Sequence, residues 1–126
     1  MVTSRHRFQG RNSLSAAYRR GTVVRGQSLQ LRVLKNQSAS YRLAVVVSKK
    51  VHKSAVVRNR IRRRLYEIAR LRLSETNRAD LIISVFDMRL ATMPAADLQK
   101  TVVKLFERAN LQLTDSAQRA IVEFEV

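Results

Sequence analysis

The chain has 126 residues, no cysteine, and a formal net charge of +16 that arises from 25 Lys and Arg against nine Asp and Glu. That length suits one domain with a single core, and the missing thiols exclude a disulfide framework, a thiolate nucleophile and a Cys-ligated zinc site, which fits a reducing cytoplasm. The charge favours a polyanion, nucleic acid first and an anionic membrane surface second, and no run of about 18 apolar residues exists to span a bilayer.

Residues 1–12 form a basic arm carrying His6 and Phe8, without the apolar stretch of a secretory signal. A short helix is predicted from Ser13 to Arg20, with Leu14, Ala17 and Tyr18 on one face and Gly21 at its end. Val23 to Leu34 reads as strand, with Leu29, Leu31 and Val33 facing inward and Gln30 and Arg32 outward. The polar connection Lys35 to Ser40 predicts an antiparallel hairpin to a second strand, Tyr41 to Ser48. Leu43, Val45 and Val47 continue the inward set there, and Ala44 and Val46 on the other face suggest a central strand. After a basic helix, Ser74 to Arg78 breaks the apolar period, and Leu81 to Phe86 suits an interior strand. Pro94 then opens a last helix with Leu98, Val102, Leu105, Phe106 and Ala109 at helical spacing.

This order is helix, two or three strands, helix, strand, helix. It predicts an α+β fold in which helices pack on a single, mostly antiparallel sheet of about four strands. Residues 1–113 are expected to form the domain, with 114–126 as a C-terminal extension that ends in the alternating stretch Ile121 to Val126.

The stretch Ser48 to Leu73 holds ten Lys or Arg against one carboxylate, Glu67. At 100° per residue Val57, Ile61, Leu65 and Ile68 fall on one stripe, and Asn59, Arg63, Tyr66 and Arg70 lie opposite with Arg62 beside them. Ser54 stands at the N-cap position. Lys49, Lys50 and Lys53 precede a helix end that already carries partial positive charge, a misfit that a bound anion relieves. A merely soluble helix face mixes signs. Five of the seven residues Arg58 to Arg64 are Arg, whose planar fork bonds phosphate oxygens bidentately and stacks on bases. The candidate phosphate contacts are therefore Lys49, Lys50, Lys53, Arg58, Arg60, Arg62 and Arg63. Asn59 is read either as a further contact or as a side chain that pins its own backbone.

These residues resemble a known family. Lys49-Lys50, Ala55-Val56, Arg58-Asn59-Arg60-Ile61-Arg62-Arg63 and Glu67 are similar to the signature of the bacterial ribonuclease P protein subunit, whose hallmark is an Arg-Asn-Arg helix preceded by a Ser-Lys-Lys strand end. The likeness runs over roughly residues 5 to 112. It implies an Arg-Asn-Arg helix serving as a left-handed crossover, although general rules favour a right-handed one. It also implies a helix and loop that hold a catalytic RNA, and a cleft between the first helix and the sheet that holds the 5′ leader of precursor tRNA. The reaction implied is endonucleolytic release of the mature 5′ end, with Mg2+ held mainly by the RNA and none bound by the protein alone. The expected partners are the catalytic RNA subunit and precursor tRNA, with no membrane and no obligate protein partner.

The candidate leader cleft comprises Phe8, Leu14, Tyr18, Gln30, Arg32 and Arg42, since aromatic and cationic groups on a sheet face track a single strand without reading its sequence. The chain departs from the family pattern at Leu14 and Tyr18 in place of a Phe pair. It departs again at Arg32, Ala44 and Phe86. No protein-borne catalytic site is expected. The acidic residues are scattered, whereas two-metal sites need clustered carboxylates, and His6 and His52 share no metal-ligand spacing. Competing classes are a ribosomal or other structural RNA-binding protein, a protein-only nuclease, and a DNA-binding module. A helix dense in Arg and poor in Gln suits phosphate better than base readout.

Overall fold

The structure, a computed structural model, describes residues 19–36 and 40–114. The expected first helix lies outside these residues apart from helical Arg19 and Arg20, and so do Phe8, Leu14, Tyr18 and the tail beyond Thr114.

Within the described residues, β1 (Thr22–Arg25), β2 (Leu29–Lys35) and β3 (Arg42–Val47) precede α1 (Ala55–Arg72). Strand β4 (Ala79–Val85), a 3-10 turn at Met88–Ala91 and α2 (Ala95–Arg108) follow. The single strand expected over Val23 to Leu34 is thus two strands folded back on each other at residues 26–28. Gly26 permits the reversal: a Cβ there would lie 3.1 Å from the Leu29 carbonyl oxygen and 3.2 Å from Leu105 Cδ2. Its own N–H donates to that same carbonyl at 2.8 Å.

The strand order is β1-β2-β4-β3, with β1–β2 and β2–β4 antiparallel and β3–β4 parallel. The sheet is therefore four-stranded and mostly antiparallel, and α1 is the crossover between its parallel pair. Two expectations are corrected. Strands β2 and β3 do not form a hairpin, because β4 lies between them. Strand β3 is an edge, not a central strand. Its apolar outer face misled because Ala44 pairs in register with Ile82, which is fully buried although it points away from the main core.

An edge strand with free N–H and C=O groups is a template for unwanted pairing. Helix α1 covers part of this one. The Tyr66 hydroxyl accepts from Val45 N–H at 3.2 Å, and Arg62 Nη2 donates to the Val47 carbonyl at 3.3 Å. Tyr66 is consequently half-buried against the core rather than on the cationic face.

The core forms where the inward sets of β2, β3 and β4 meet the dry faces of both helices. Leu29, Leu31, Leu43, Leu81, Ile61, Leu65, Leu98 and Phe106 are all within 1 % of complete burial. Each such side chain contributes about 1.5–3 kcal/mol relative to exposure. The expected stripe of α1 holds, with Ile61 and Leu65 fully buried, Val57 and Ile68 half-buried at its margins, and Ala69 buried with them. Strand β4 is buried over nearly its whole length, as an interior strand should be, but Phe86 lies past its end and is 60 % exposed. Pro94 occupies the N-cap of α2. Beyond α2 the chain returns to the end of α1: Leu113 bridges Leu73, and the Asn77 side chain donates to the Gln112 carbonyl while accepting from its N–H, both at 2.8 Å. These bonds hold the carboxyl end of α1 in place.

Candidate nucleic-acid interface

Helix α1 starts where the sequence places its cap, with Ser54 Oγ accepting from Val57 N–H at 3.4 Å. The first turn holds no acidic residue. His52 Nδ1 accepts the Ser54 N–H at 3.0 Å, and Val51 N–H closes a turn onto the Ser48 carbonyl. The Ser48 to Lys53 loop is thereby folded tightly at the amino-terminal end of the helix, with Lys49, Lys50 and Lys53 exposed around it. Ammonium groups here add to the positive end of the helix dipole, and among the described residues no carboxylate pairs with them.

The arginines of α1 divide into three sets. Arg58 and Arg62 are half-buried and oriented by neutral acceptors: Arg58 Nη1 donates to the carbonyls of His52 and Lys53, each at 3.0 Å. Arg62 Nη1 donates to Asn59 Oδ1 at 2.6 Å, besides its bond to Val47. Carbonyls and amides fix a guanidinium without cancelling its charge. Arg60 and Arg63 are exposed and point outward. Arg64 turns the other way and donates to the carbonyls of Leu90 and Met93, tying the 3-10 turn to the helix. Asn59 is exposed and holds Arg62, so it does not pin its own backbone. Farther along α1, Arg70 pairs with Glu67 at 2.5 Å, and that hydrogen bond holds the Glu67 carboxyl below its ordinary range.

The residues expected in the leader cleft have a different setting. Gln30, Arg32 and Arg42 share the outer sheet face, where Gln30 pairs in register with Ser84, Arg32 with Ile82 and Arg42 with Asp80. Arg42 is clamped to Asp80, Nε to Oδ1 at 2.7 Å and Nη2 to Oδ2 at 2.8 Å, and Asn36 Nδ2 adds a third bond to this buried carboxylate at 2.6 Å. Sequence reasoning places Asp80 only as a strand flank. Its partner is 38 residues away, and no local pattern announces the pairing.

The described residues contain no group of three His, Asp or Glu side chains placed to hold a metal ion, and no helix among them is long and apolar enough to cross a membrane. The arrangement is one of oriented, largely unneutralised cations on the open side of a helix. It can grip a phosphate backbone. Fold and surface together define a small, basic α+β protein with a face suited to nucleic-acid phosphates.

Comparison with known proteins sharpens that class. The family model "Ribonuclease P" matches residues 2–110. The chain is 33 % identical over 107 residues to the "Ribonuclease P protein component" of Symbiobacterium thermophilum, covering 84 % of this chain and 92 % of that protein. It is 37 % identical over 113 residues to the protein of the same description from Synechococcus elongatus, covering 86 % and 88 %. Among solved structures it is similar to a Staphylococcus aureus RNase P protein mutant, with a TM-score of 0.72, 21 % identity, and 84 % and 89 % of the two chains covered. The RNase P protein from Thermotoga maritima gives 0.69 at 18 % identity, covering 81 % and 96 %. Those two structures support the fold alone. The family match and the sequence relatives show that the chain belongs to the ribonuclease P protein family.

Proposed function

We propose that α1 and the Ser48 to Lys53 loop are the anchor by which this protein holds a catalytic RNA, through Lys49, Lys50, Lys53, Arg58, Arg60, Arg62 and Arg63, with Asn59 aligning Arg62. The protein is the RNA-binding subunit of ribonuclease P and assists its RNA in the endonucleolytic removal of the 5′ leader from precursor tRNA. The observation that carries the assignment to α1 is the lack of carboxylate partners there. Of the eight residues named, none forms an ion pair with Asp or Glu among the described residues, and two are oriented by neutral groups. A strand of phosphates supplies the missing anions and releases counterions as it binds.

In this reading the chemistry and its Mg2+ belong to the RNA, and the protein lowers the repulsion between two polyanions, enzyme RNA and substrate. The outer sheet face, with Gln30 and Arg32 together with Phe8, Leu14 and Tyr18 of the amino-terminal region, is the surface for the leader, and Arg42, clamped to Asp80, braces its border instead of gripping phosphate. Residues 1–113 act as one RNA-binding domain, 114–126 as an extension, and the compartment is the cytoplasm. The test is 5′ cleavage of precursor tRNA by the purified chain with and without a bacterial ribonuclease P RNA. Expected are no cleavage by protein alone and stimulation when the RNA is present. Binding to ribosomal RNA with cleavage unaffected would favour a structural RNA-binding protein instead.

A further inference from the structure

At the β1 edge of the sheet, across the molecule from α1's seat on β3, lies a cleft of about 420 Å³ between β1, β2 and the end of α2. Three cations line it: Arg20, Lys35 at the end of β2, and Arg108 in the last turn of α2. Among the described residues no carboxylate does. The Arg108 guanidinium is oriented by a neutral group, since Nη1 donates to the Arg25 carbonyl at 2.7 Å, as Arg58 and Arg62 are on α1. Between the cations the wall is apolar, formed by Val24 and Val33, which are only half-buried. At the far side Asn110 adopts a left-handed backbone, φ 59°, and lines the cleft beside Ala109.

Three like charges around a common space repel one another, and no carboxylate among the described residues lines the cleft to offset this. The carboxyl end of α2 does point here, and three of its last four carbonyls are engaged: Ala109 N–H bonds the Leu105 carbonyl, Asn110 N–H that of Glu107, and Leu111 N–H that of Phe106. The partial negative charge left at that helix end is small beside three full cations. The volume falls in the range of small-ligand clefts, in which apolar walls carry a few placed polar groups. A cationic rim over an aliphatic wall, with a carboxamide alongside, matches the parts of a nucleotide: phosphate, flat base and base edge.

We propose that this cleft binds one nucleotide of single-stranded RNA, its phosphate on Arg20, Lys35 and Arg108 and its base against Val24 and Val33. The cleft is separate from both surfaces assigned above, on the inward side of the sheet and at the opposite edge from α1. That its natural occupant is RNA rests on the subunit reading; the cleft itself does not. With RNA held at both edges, the protein bridges two RNA segments instead of coating one.

The test uses the full chain, 15N-labelled, titrated with adenosine 5′-monophosphate and separately with inorganic phosphate. Expected are saturable shifts of the Thr22, Val24, Lys35 and Asn110 amides, reached at about a fivefold lower concentration of the nucleotide because the base adds apolar burial. Arg20→Glu combined with Lys35→Glu should abolish them; neither side chain makes a bond that holds the fold, and α1 amides report that it is intact. For a five-nucleotide oligoadenylate the same variant should lower the slope of log affinity against log salt by about 0.7 for each phosphate no longer neutralised. Equal response to both probes, shifts that survive the double substitution, or shifts confined to α1 would overturn the proposal. Stimulation of precursor tRNA cleavage reports on α1 independently: if it is absent while the cleft still responds, the subunit reading fails and the nucleotide site stands.

Discussion

Helix α1 and the outer sheet face are both rich in arginine, yet they treat the charge in opposite ways. On α1, Arg58 and Arg62 are held by carbonyls and an amide, and the cation remains available to an outside anion. On the sheet, Arg42 meets Asp80 through two bonds, and the pair is an internal strut between β3 and β4. The identity of the residue therefore says less about its role than the charge of whatever orients it. A guanidinium aimed by neutral acceptors is set up for a ligand; one aimed by a buried carboxylate is largely committed to the fold.

The contrast breaks first, if it is wrong, at Asp80. Replacing it with Asn leaves the Arg42 guanidinium without its counter-charge and Asn36 with a poorer acceptor, and removing one partner of a buried pair costs about 3–5 kcal/mol. Arg42 retains some exposure, 24 % of its side chain, so the expected loss of unfolding free energy is smaller, about 2–3 kcal/mol after allowing for solvent screening. Urea denaturation measures it. A loss below about 0.5 kcal/mol, the usual range for a surface substitution, would place Arg42 with the ligand-facing arginines. Next in size is Arg64→Ala, which frees the carbonyls of Leu90 and Met93. Hydrogen bonds from charged donors are worth about 1.5–3 kcal/mol, and partial exposure lowers this to about 1–2 kcal/mol. RNA affinity and its salt dependence should stay as they are, although Arg64 adjoins Arg63 in the chain.

The opposite signature is expected of Arg62→Ala and Arg63→Ala. Each should lower the slope of log affinity against log salt by about 0.7 to 0.9, one phosphate's share. Arg63 is exposed and bonds no side chain or backbone group among the described residues, so its removal should change stability by less than about 0.5 kcal/mol. Arg62 also covers the Val47 carbonyl, and its loss should cost about 1 kcal/mol more. Asn59→Ala sharpens the distinction between carrying charge and aiming it. The slope should hold while affinity falls about threefold, the equivalent of roughly 0.6 kcal/mol for losing a preset orientation. A changed slope would mean that Asn59 itself touches the backbone or that Arg62 no longer does.

Much of this is legible in the chain, and the boundary follows sequence distance. The helical stripe of Ile61 and Leu65, the Ser54 cap and the buried run of β4 are written in spacings of a few residues, and the structure keeps them. The Lys-Lys and Arg-Asn-Arg constellation is equally local, and it carries the family. What stays hidden depends on which strands become neighbours. A polar connection at Lys35 to Ser40 looks the same whether the next strand pairs at once or leaves room for β4 to insert. Tyr66 falls opposite Ile61 on a helical wheel, but the free edge of β3 reaches round the helix far enough to meet its hydroxyl. Residues 26–28 do carry a local sign of reversal, a glycine followed by Gln and Ser, but adjacent Val23 and Val24 fit either phase, and Val23 extends the odd-numbered set of Leu29, Leu31 and Val33 across it, whereas the register puts Val24 opposite Leu31.

A weaker test of the same principle lies at Asp87, whose carboxylate accepts from the Arg89 guanidinium and backbone N–H as well as from Ser28 Oγ. These bonds, the Arg89 side chain foremost, lower its pKa from 3.8 to about 2. A depressed carboxyl stabilises the fold above its unfolded value and loses that contribution as pH falls through the folded one. Stability should therefore be flat with respect to this group from neutrality down to about pH 4 and decline between there and about pH 2, in the wild-type chain more than in Asp87→Asn. Thermal unfolding followed across that interval measures the difference. Arg89 thus spends its charge on a carboxylate at the surface, as Arg42 does in the interior, and its removal should leave the salt slope of RNA binding untouched. A fall in that slope for Arg89→Ala would show that pairing with a carboxylate does not withdraw an exposed arginine from phosphate, and the rule drawn from α1 and the sheet would then hold only for buried partners.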